Sequence, residues 1–302
     1  MLNTDISVIV PSYNGRKKLP KLLSAMEAQT IKGFELLIVV DGSTDDTVKY
    51  LSNYDSTKFG FKFITQENKG RSAVRNRGVK EAKGNLLIFF DDDMSPFKDA
   101  IAKHLQFHQT YKNAICGGNQ IENPEDAISD FDRYRCHIRN KWNKPFKENT
   151  KLNKDNLHLT AANFSISKSL FQKLDGFDET LTDAEDICLA YNAFNQNIDV
   201  YFDPTIAAWH NDFCSCKKYI LRRQEYNMAY QALSKKTNDN WVNKRIITIS
   251  PIKHVILLVF SFPFLVKMID ENMFTFLPEK LRYKLYDVVI TSLSTLYSNR
   301  SI

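Results

Sequence analysis

Apolar residues in the first ninety positions come as short Ile- and Val-rich runs separated by stretches with one apolar face. Ile6 to Val10, Leu36 to Val40, Phe61 to Ile64 and Leu86 to Phe90 predict strands. Between the first two, Leu19, Leu22, Leu23 and Met26 recur at i, i+3, i+4 and i+7, which places them on one side of a helix. Thr44 to Leu51 predicts a second helix and Ser72 to Lys83 a third, with Gly84 as its C-terminal cap. This alternation predicts an α/β fold, a mostly parallel sheet flanked by helices. Ligands of such sheets bind beyond the carboxyl ends of the strands.

Ser95-Pro96 predicts an N-cap followed by proline at the first helical position, opening a helix through about Tyr111. A strand near Ile115 and mixed irregular and helical structure carry the chain to Pro145. From Leu159 the pattern gives a short strand, a helix capped by Ser167 and ended near Gly176, a helix from about Glu185 to Phe194, and a strand over Val200 to Phe202 that stops before Pro204. No internal repeat or low-complexity linker interrupts this order.

The C-terminal part reads differently. Lys217 to Leu233 interleaves Lys217, Lys218, Arg222 and Arg223 with Tyr219, Ile220, Tyr226 and Met228, a basic amphipathic helix. Val255 to Val266 is an uncharged run broken by Pro263. It is too short to span a bilayer, which takes about 20 residues, and predicts either an interfacial or re-entrant segment or a buried helix. Two domains are expected: a catalytic domain over 1–215 and a basic, helical, membrane-associating extension over 216–302.

With 302 residues, 43% of them hydrophobic, the chain can bury a substantial core. Its net charge of +6 is unevenly placed: from Lys217 onward 14 Lys and Arg face 6 Asp and Glu, so the basic excess belongs to the C-terminal part. That asymmetry suits an anionic partner such as nucleic acid or a membrane surface. The five cysteines are odd in number and irregularly spaced, which excludes a disulfide framework. Cys214-Ser215-Cys216 lacks the second close Cys or His pair of a zinc site. A first strand beginning at Ile6 leaves no room for a secretory signal, so cytoplasmic residence is expected.

Chemistry gathers at the strand ends. After the fourth strand, Asp91-Asp92-Asp93 makes either a solvated turn or a site for a hard divalent cation shared with substrate phosphates. In an extended segment Asp91 and Asp93 share one side while Asp92 points away. Arg71 and Arg75 stand at the start of a helix, where cations oppose the dipole. They form either a solvated basic face or a seat for phosphate. Tyr13 is placed to stack on a base, and Asp41 to accept from base or ribose. A nucleoside diphosphate with its metal satisfies all four sites together.

Val10-Pro11-Ser12-Tyr13-Asn14, Val39-Val40-Asp41-Gly42-Ser43-Thr44-Asp45, Arg75-Asn76-Arg77-Gly78, Phe90-Asp91-Asp92-Asp93, Gly176-Phe177-Asp178-Glu179 and Ala184-Glu185-Asp186, in this order, resemble glycosyltransferase family 2 over roughly residues 5 to 212. The resemblance implies a GT-A fold and inverting transfer from a nucleoside-diphosphate sugar, UDP-sugar foremost, to a hydroxyl of a sugar or lipid-linked acceptor. It implies Mg²⁺ or Mn²⁺ as cofactor and a place in cell-surface polysaccharide or glycolipid synthesis at the cytoplasmic face of the membrane. Carried over by position, Pro11, Tyr13 and Asp41 contact the nucleotide, Arg75 the diphosphate side, and Asp91 and Asp93 the ribose and metal. Asp186 is the catalytic base, and His210 joins Asp93 at the metal. Asn14, Arg71 and Asp92 complete the nucleotide-sugar set, with Asp92 the acid whose loss is expected to matter least. Glu185 and Asn163 fall on the acceptor side.

Two positions depart from the family pattern: Val40 where relatives often carry a second acid, and Cys188 two residues after the base where an acid is common. Two alternatives remain. A nucleotidyltransferase of similar fold needs an N-terminal Gly-rich phosphate loop, for which Asn14-Gly15-Arg16 is sparse. A non-catalytic nucleotide-sugar or nucleic-acid binder has no use for Asp186 and both metal carboxylates, so no nucleic-acid partner is expected.

Overall fold

The structure is a computed structural model and describes residues 5–237, Val242 and 250–296. Among the described residues nine strands form one sheet: β1 (Ile6–Ser12), β2 (Glu35–Asp41), β3 (Gly60–Gln66), β4 (Leu86–Phe90), β5 (Met94–Pro96), β6 (Ala114–Ile121), β7 (Thr150–Lys151), β8 (Asn163–Ser167) and β9 (Asp199–His210). Their order is β3-β2-β1-β4-β8-β6-β9-β5, with β7 paired to β9 off this path. β1 to β4 pair in parallel, as do β6 and β9, while β8 runs antiparallel between β4 and β6. Because the chain winds outward from β1 to β3 and then returns to place β4 on the other side of β1, the carboxyl ends of β1 and β4 flank the reversal point where α/β sheets open a crevice.

Helices α1 (Leu19–Glu27), α2 (Thr47–Ser52) and α3 (Arg71–Glu81) follow β1, β2 and β3. α1 buries Leu19, Leu22, Leu23 and Met26, the stripe its spacing predicts, against Val8, Val10, Leu36 and Ile38. On the other face α3 approaches the sheet through Gly78, where an added Cβ would stand 2.4 Å from Ile9 Cγ2. Gly78→Ala therefore forces a buried methyl to move. The expected cost is about 1–3 kcal/mol, read as a melting temperature lower by several degrees; an unchanged melting temperature would mean that the helix simply lifts.

Three expectations change here. Gly84 is not the cap of α3, which ends at Ala82 in extended backbone. An added Cβ at Gly84 would lie 2.6 Å from Ser7 N, so this glycine serves the close passage of the chain beside β1. Ser95-Pro96 opens no helix: it belongs to β5, an edge strand paired antiparallel with β9, and α4 (Ala100–Thr110) begins later. Proline is tolerated there because an edge strand need not donate on its open side. β9 does not stop before Pro204 but runs to His210, its pairing with β6 jumping from Gly118↔Asp203 to Asn119↔Ala207. Pro204 sits in the resulting bulge, where no ladder N–H is required.

α5 (Asp130–Asn143), α6 (Lys168–Lys173), α7 (Glu185–Asn195) and α8 (Cys216–Thr237) follow. Ser167 caps α6 as predicted, accepting from Leu170 N at 3.2 Å. The chain divides into two compact units, Met1–Ile121 with Asn143–Asn211, and Glu122–Trp142 with Asp212–Ile302. The junction at Asn211 lies close to the expected 215/216 boundary, but the second unit also takes in Glu122–Trp142, so it is discontinuous in sequence.

That second unit is helical. Phe131 and Tyr134 of α5, Ile220 of α8, and Tyr286, Val289 and Leu293 of the helix Glu279–Leu296 form its core. At its centre the buried Asp130 accepts from Arg282 Nε at 2.6 Å and Nη2 at 2.8 Å, and from Tyr286 OH at 2.8 Å. This paired geometry makes burying the carboxylate tolerable. None of the five cysteines forms a disulfide. Among the described residues no single helix is long and apolar enough to cross a membrane.

Candidate active site

The loop after β1 is laced to the loop after β2. Asn14, in left-handed backbone at φ 50°, donates its N–H to Ser43 Oγ at 2.9 Å, and its Oδ1 accepts from Thr44 N at 2.8 Å. Asp41, at the end of β2, accepts from Gln66 Nε2, Lys69 N and Gly70 N at 2.7, 2.9 and 3.0 Å. Its carboxylate thus fixes the turn into α3 and is nearly closed to solvent. Pro11 lies half-buried at the end of β1, and the ring of Tyr13 is half exposed. Of the predicted nucleotide side, Tyr13 is therefore open to a ligand, while Asn14 and Asp41 hold the loops that frame it.

The three aspartates after β4 do not continue the strand. Met94 N donates to Asp91 O at 3.1 Å, which closes a turn, so the alternation expected of an extended segment does not apply. Asp91 accepts from Arg75 Nη2 at 2.5 Å. Asp92 does not point away into solvent. It is buried, accepting from Ser12 Oγ at 2.8 Å and Lys18 Nζ at 3.1 Å. Burial pushes its pKa up to about 6, against the pull of Lys18. It is therefore a poor candidate for the most dispensable of the three acids. Neither Ser12 nor Lys18 was singled out in the sequence, because only the fold brings them to Asp92.

Asp93 faces the end of β9, where Met94 pairs with His210. Its Oδ2 lies 3.7 Å from His210 Nε2, and Asn211 holds its carbonyl by backbone N–H and side-chain amide at 2.9 and 3.0 Å. Burial raises the Asp93 pKa, but the hydrogen bond and charge of His210 outweigh it and keep the carboxylate below its usual range. Asn211 is a positioning residue that the sequence did not reveal.

Arg75 occupies the centre of the site. It is buried, with Nη2 on Asp91 and Nη1 on Glu185 Oε1 at 2.7 Å. Burial opposes its charge, yet Asp91 and Glu185 hold it protonated. Both guanidinium amino groups are engaged, so any contribution of Arg75 to a diphosphate passes through the carboxylates it grips or through Nε, which is buried without a hydrogen-bond partner. Arg71 lies at the rim, its Nη1 3.1 Å from Asp183.

Asp186 begins α7 beside Glu185. It keeps partial solvent access in dense surroundings, accepting from Ala161 N at 3.1 Å and Ile187 N at 2.7 Å. Burial and then the neighbouring Glu185 push its pKa up to about 7. Ala184, just before the pair, adopts left-handed backbone at φ 61°. For a residue with a Cβ this is strained, and such strain concentrates where side-chain direction matters.

Asn163 does not reach an acceptor. It is fully buried in β8, donating to the carbonyls of Asn119 and Ile206 at 3.0 Å and bonded to His104 Nε2 at 3.0 Å. Its amide ties strands together. Glu185 is likewise buried, with Oε1 on Arg75.

Among the described residues, no three His, Cys, Asp or Glu side chains could hold a metal ion by themselves. Asp93 Oδ1, however, is buried without a hydrogen-bond partner, and His210 faces the other oxygen. One carboxylate with a free lone pair and one imidazole fit a divalent ion whose other positions are filled by water and substrate phosphate.

Solved structures share this architecture. S. aureus TarS in complex with UDP matches 98% of this chain and 92% of its own at TM-score 0.57 and 18% identity. The mannosyltransferase PcManGT from Pyrobaculum calidifontis, in complex with GDP-Man and Mn²⁺, matches 98% of this chain and 88% of its own at TM-score 0.66 and 14% identity. At such identities the likeness is one of fold, and that fold is GT-A. Among curated sequences, the uncharacterized glycosyltransferase YfnE of Bacillus subtilis (strain 168) is 36% identical over 114 residues, 37% of this chain and 29% of its own length. The glycosyltransferase GlyA of Streptococcus pneumoniae serotype 4 is 38% identical over 93 residues, 31% of this chain and 13% of its own. The chain therefore spans under a third of both relatives. The model of Glycosyl transferase family 2 matches residues 7–175, more than half of the chain and the part that carries Asp41, Arg75 and the three aspartates, and the protein belongs to that family.

Proposed function

We propose that the protein is an inverting, metal-dependent glycosyltransferase that moves a sugar from a nucleoside diphosphate, UDP foremost, to a hydroxyl of a sugar or lipid-linked acceptor. The acceptor belongs to cell-surface polysaccharide or glycolipid synthesis, and the enzyme works at the cytoplasmic face of the membrane. Asp186 is the observation that carries this reading: a recessed carboxylate at a helix start, oriented by two backbone N–H groups and pushed up to about 7. A base of that strength can take the proton of an acceptor hydroxyl as the new bond forms and stay ionised near neutral pH.

Asp93 and His210 would hold Mg²⁺ or Mn²⁺, which neutralises charge developing on the departing diphosphate. Tyr13 stacks on the base, and Asn14 and Asp41 keep the loops around it in place. Arg75 holds Asp91 toward the donor and Glu185 beside the catalytic base. A nucleotidyltransferase is not favoured, since the family match is to glycosyl transfer. Thermal-shift titration with UDP, GDP and their sugars, with Mn²⁺ or with EDTA, tests the reading, because a ligand bound only by the folded chain raises its melting temperature. Asp93→Ala is expected to weaken the Mn²⁺-dependent shift by about 10–100-fold in apparent affinity. Equal affinity in parent and variant, with and without EDTA, would remove Asp93 from the metal site.

A further inference from the structure

Seventeen large hydrophobic side chains are exposed among the described residues, and ten of them fall between Ile252 and Leu281, entirely within the second unit. Scattered exposed apolar residues need no explanation, but a concentration of this kind marks a surface that is covered in use. The helix Pro251–Val259 buries Leu257 and leaves Val255 at 62% exposure and Val259 at 59%. The helix Pro263–Asp270 roots Val266 and Ile269 in the unit's core while Phe264 remains 59% exposed, its ring 5.8 Å from that of the similarly exposed Phe262.

These two helices meet at 60°. Each is less than half the length of about 20 residues that a span requires, and straightening the pair would pull Val266 and Ile269 out of the core. A crossing is thus disfavoured, but an insertion at the interface is not. The bend goes part of the way to the condition lipid imposes on exposed backbone: Phe260 N donates to Leu257 O at 3.2 Å, Ser261 N and Oγ to Leu258 O at 3.3 and 2.8 Å, and Leu265 N to Phe262 O at 3.0 Å.

The charge around the face indicates what covers it. Lys253, Lys267 and Lys280 are exposed along the same stretch and Lys284 just beyond it, beside Asp270, Glu271 and Glu279, with Lys267 3.7 Å from Glu271; the excess of Lys and Arg over Asp and Glu, 14 to 6, is that of residues 217–302 as a whole. A second copy docked face to face would set these lysines against their own counterparts. Anionic lipid headgroups instead attract each of them, at about 1 kcal/mol per residue near the surface.

We propose that Ile252 to Leu281 is a membrane-docking face that seats Val255, Val259, Phe262 and Phe264 in the interface of an anionic bilayer without crossing it. This rests on the membrane placement proposed above and gives that placement a surface and a lipid chemistry. The test uses the full chain, sedimented with phosphatidylcholine vesicles with and without phosphatidylglycerol. Preferential binding to the anionic vesicles is expected. The combined variant Val255→Asp, Phe264→Asp should lower partition by about ten-fold or more with an unchanged melting temperature, because both side chains are exposed. Lys253→Gln with Lys267→Gln should weaken binding at low salt and flatten its salt dependence. The indole added by Phe262→Trp should be quenched by brominated lipid. Parent-like partition of the aspartate variant overturns the proposal, as does brominated lipid that quenches the bound Phe262→Trp variant no more than the bound parent. So does a parent oligomer that the aspartate variant dissolves while neither protein binds vesicles. Nucleotide-sugar thermal shifts report on the first unit, so vesicle binding without any such shift would defeat the transferase reading and leave this one standing.

Discussion

Replacing Asp186 with asparagine is expected to lower turnover by about 10²–10⁴-fold, the usual contribution of a positioned general base, while the thermal shift given by the nucleotide sugar stays within error of the parent's. Unchanged turnover would end the base assignment, and lost donor binding would place Asp186 on the donor instead. The pH dependence gives a second readout. With the Asp186 pKa pushed up to about 7 by burial and then by Glu185, parental turnover should rise with pH through that value as the base ionises. Stability should move the other way. The folded chain keeps the proton up to about 7, whereas the unfolded chain releases it near about 4, so the folded state binds more protons in between and loses stability as pH rises across that window. Asp92, pushed up to about 6, adds a slope of the same sign. The diagnostic quantity is therefore the difference between parent and Asp186→Asn, which should shift in favour of the variant from about pH 4 to about pH 7 and level off above it.

The second large effect is expected at Arg75. Arg75→Met removes the buried cation that Asp91 and Glu185 share and leaves Glu185 as an uncompensated buried charge. The expected loss is about 3–5 kcal/mol, measured by urea unfolding, a large part of what holds a domain together. Adding Glu185→Gln should recover part of it, because the charge left without a partner is then gone. A loss below about 1 kcal/mol in the single variant would mean that water reaches Glu185 and that Arg75 is a surface pair in energetic terms. Catalytic consequences are separable by the double variant, in which stability returns while Asp91 remains ungripped.

Much of the sheet was legible because β1 to β4 are apolar runs whose helices carry a 3.6-residue stripe. Leu19, Leu22, Leu23 and Met26 are buried as their spacing requires. The gathering of Asp41, the three aspartates and Arg75 at the strand ends follows from parallel topology, which the alternation of elements reveals. What escaped was set by partners distant in sequence. Ser95-Pro96 has the local chemistry of a helix start, but antiparallel pairing with Trp209 and Ala208 makes it a strand. Asp92 was misdirected by one turn, since the alternation rule holds only while the chain stays extended. Asn163 has a polar side chain on a strand near the site, and only the packing of β6, β8 and β9 shows that its amide is used up inside the sheet. Asn211, Ser12 and Lys18 carry no signal of their own.

The discontinuity of the second unit bears on synthesis. Phe131 and Tyr134 leave the ribosome with α5, yet their partners Tyr286 and Val289 are about 150 residues downstream, a delay of roughly 8–30 s at about 5–20 residues per second. During that interval the first unit can fold around an insertion whose aromatic face has only α8, through Tyr219 and Ile220, to close on. Asp130 likewise waits for Arg282. The growing chain thus exposes part of that face until the helix Glu279–Leu296 emerges. A cut at Asn211 would not release a finished catalytic unit, but one bearing a sticky, unsatisfied helix.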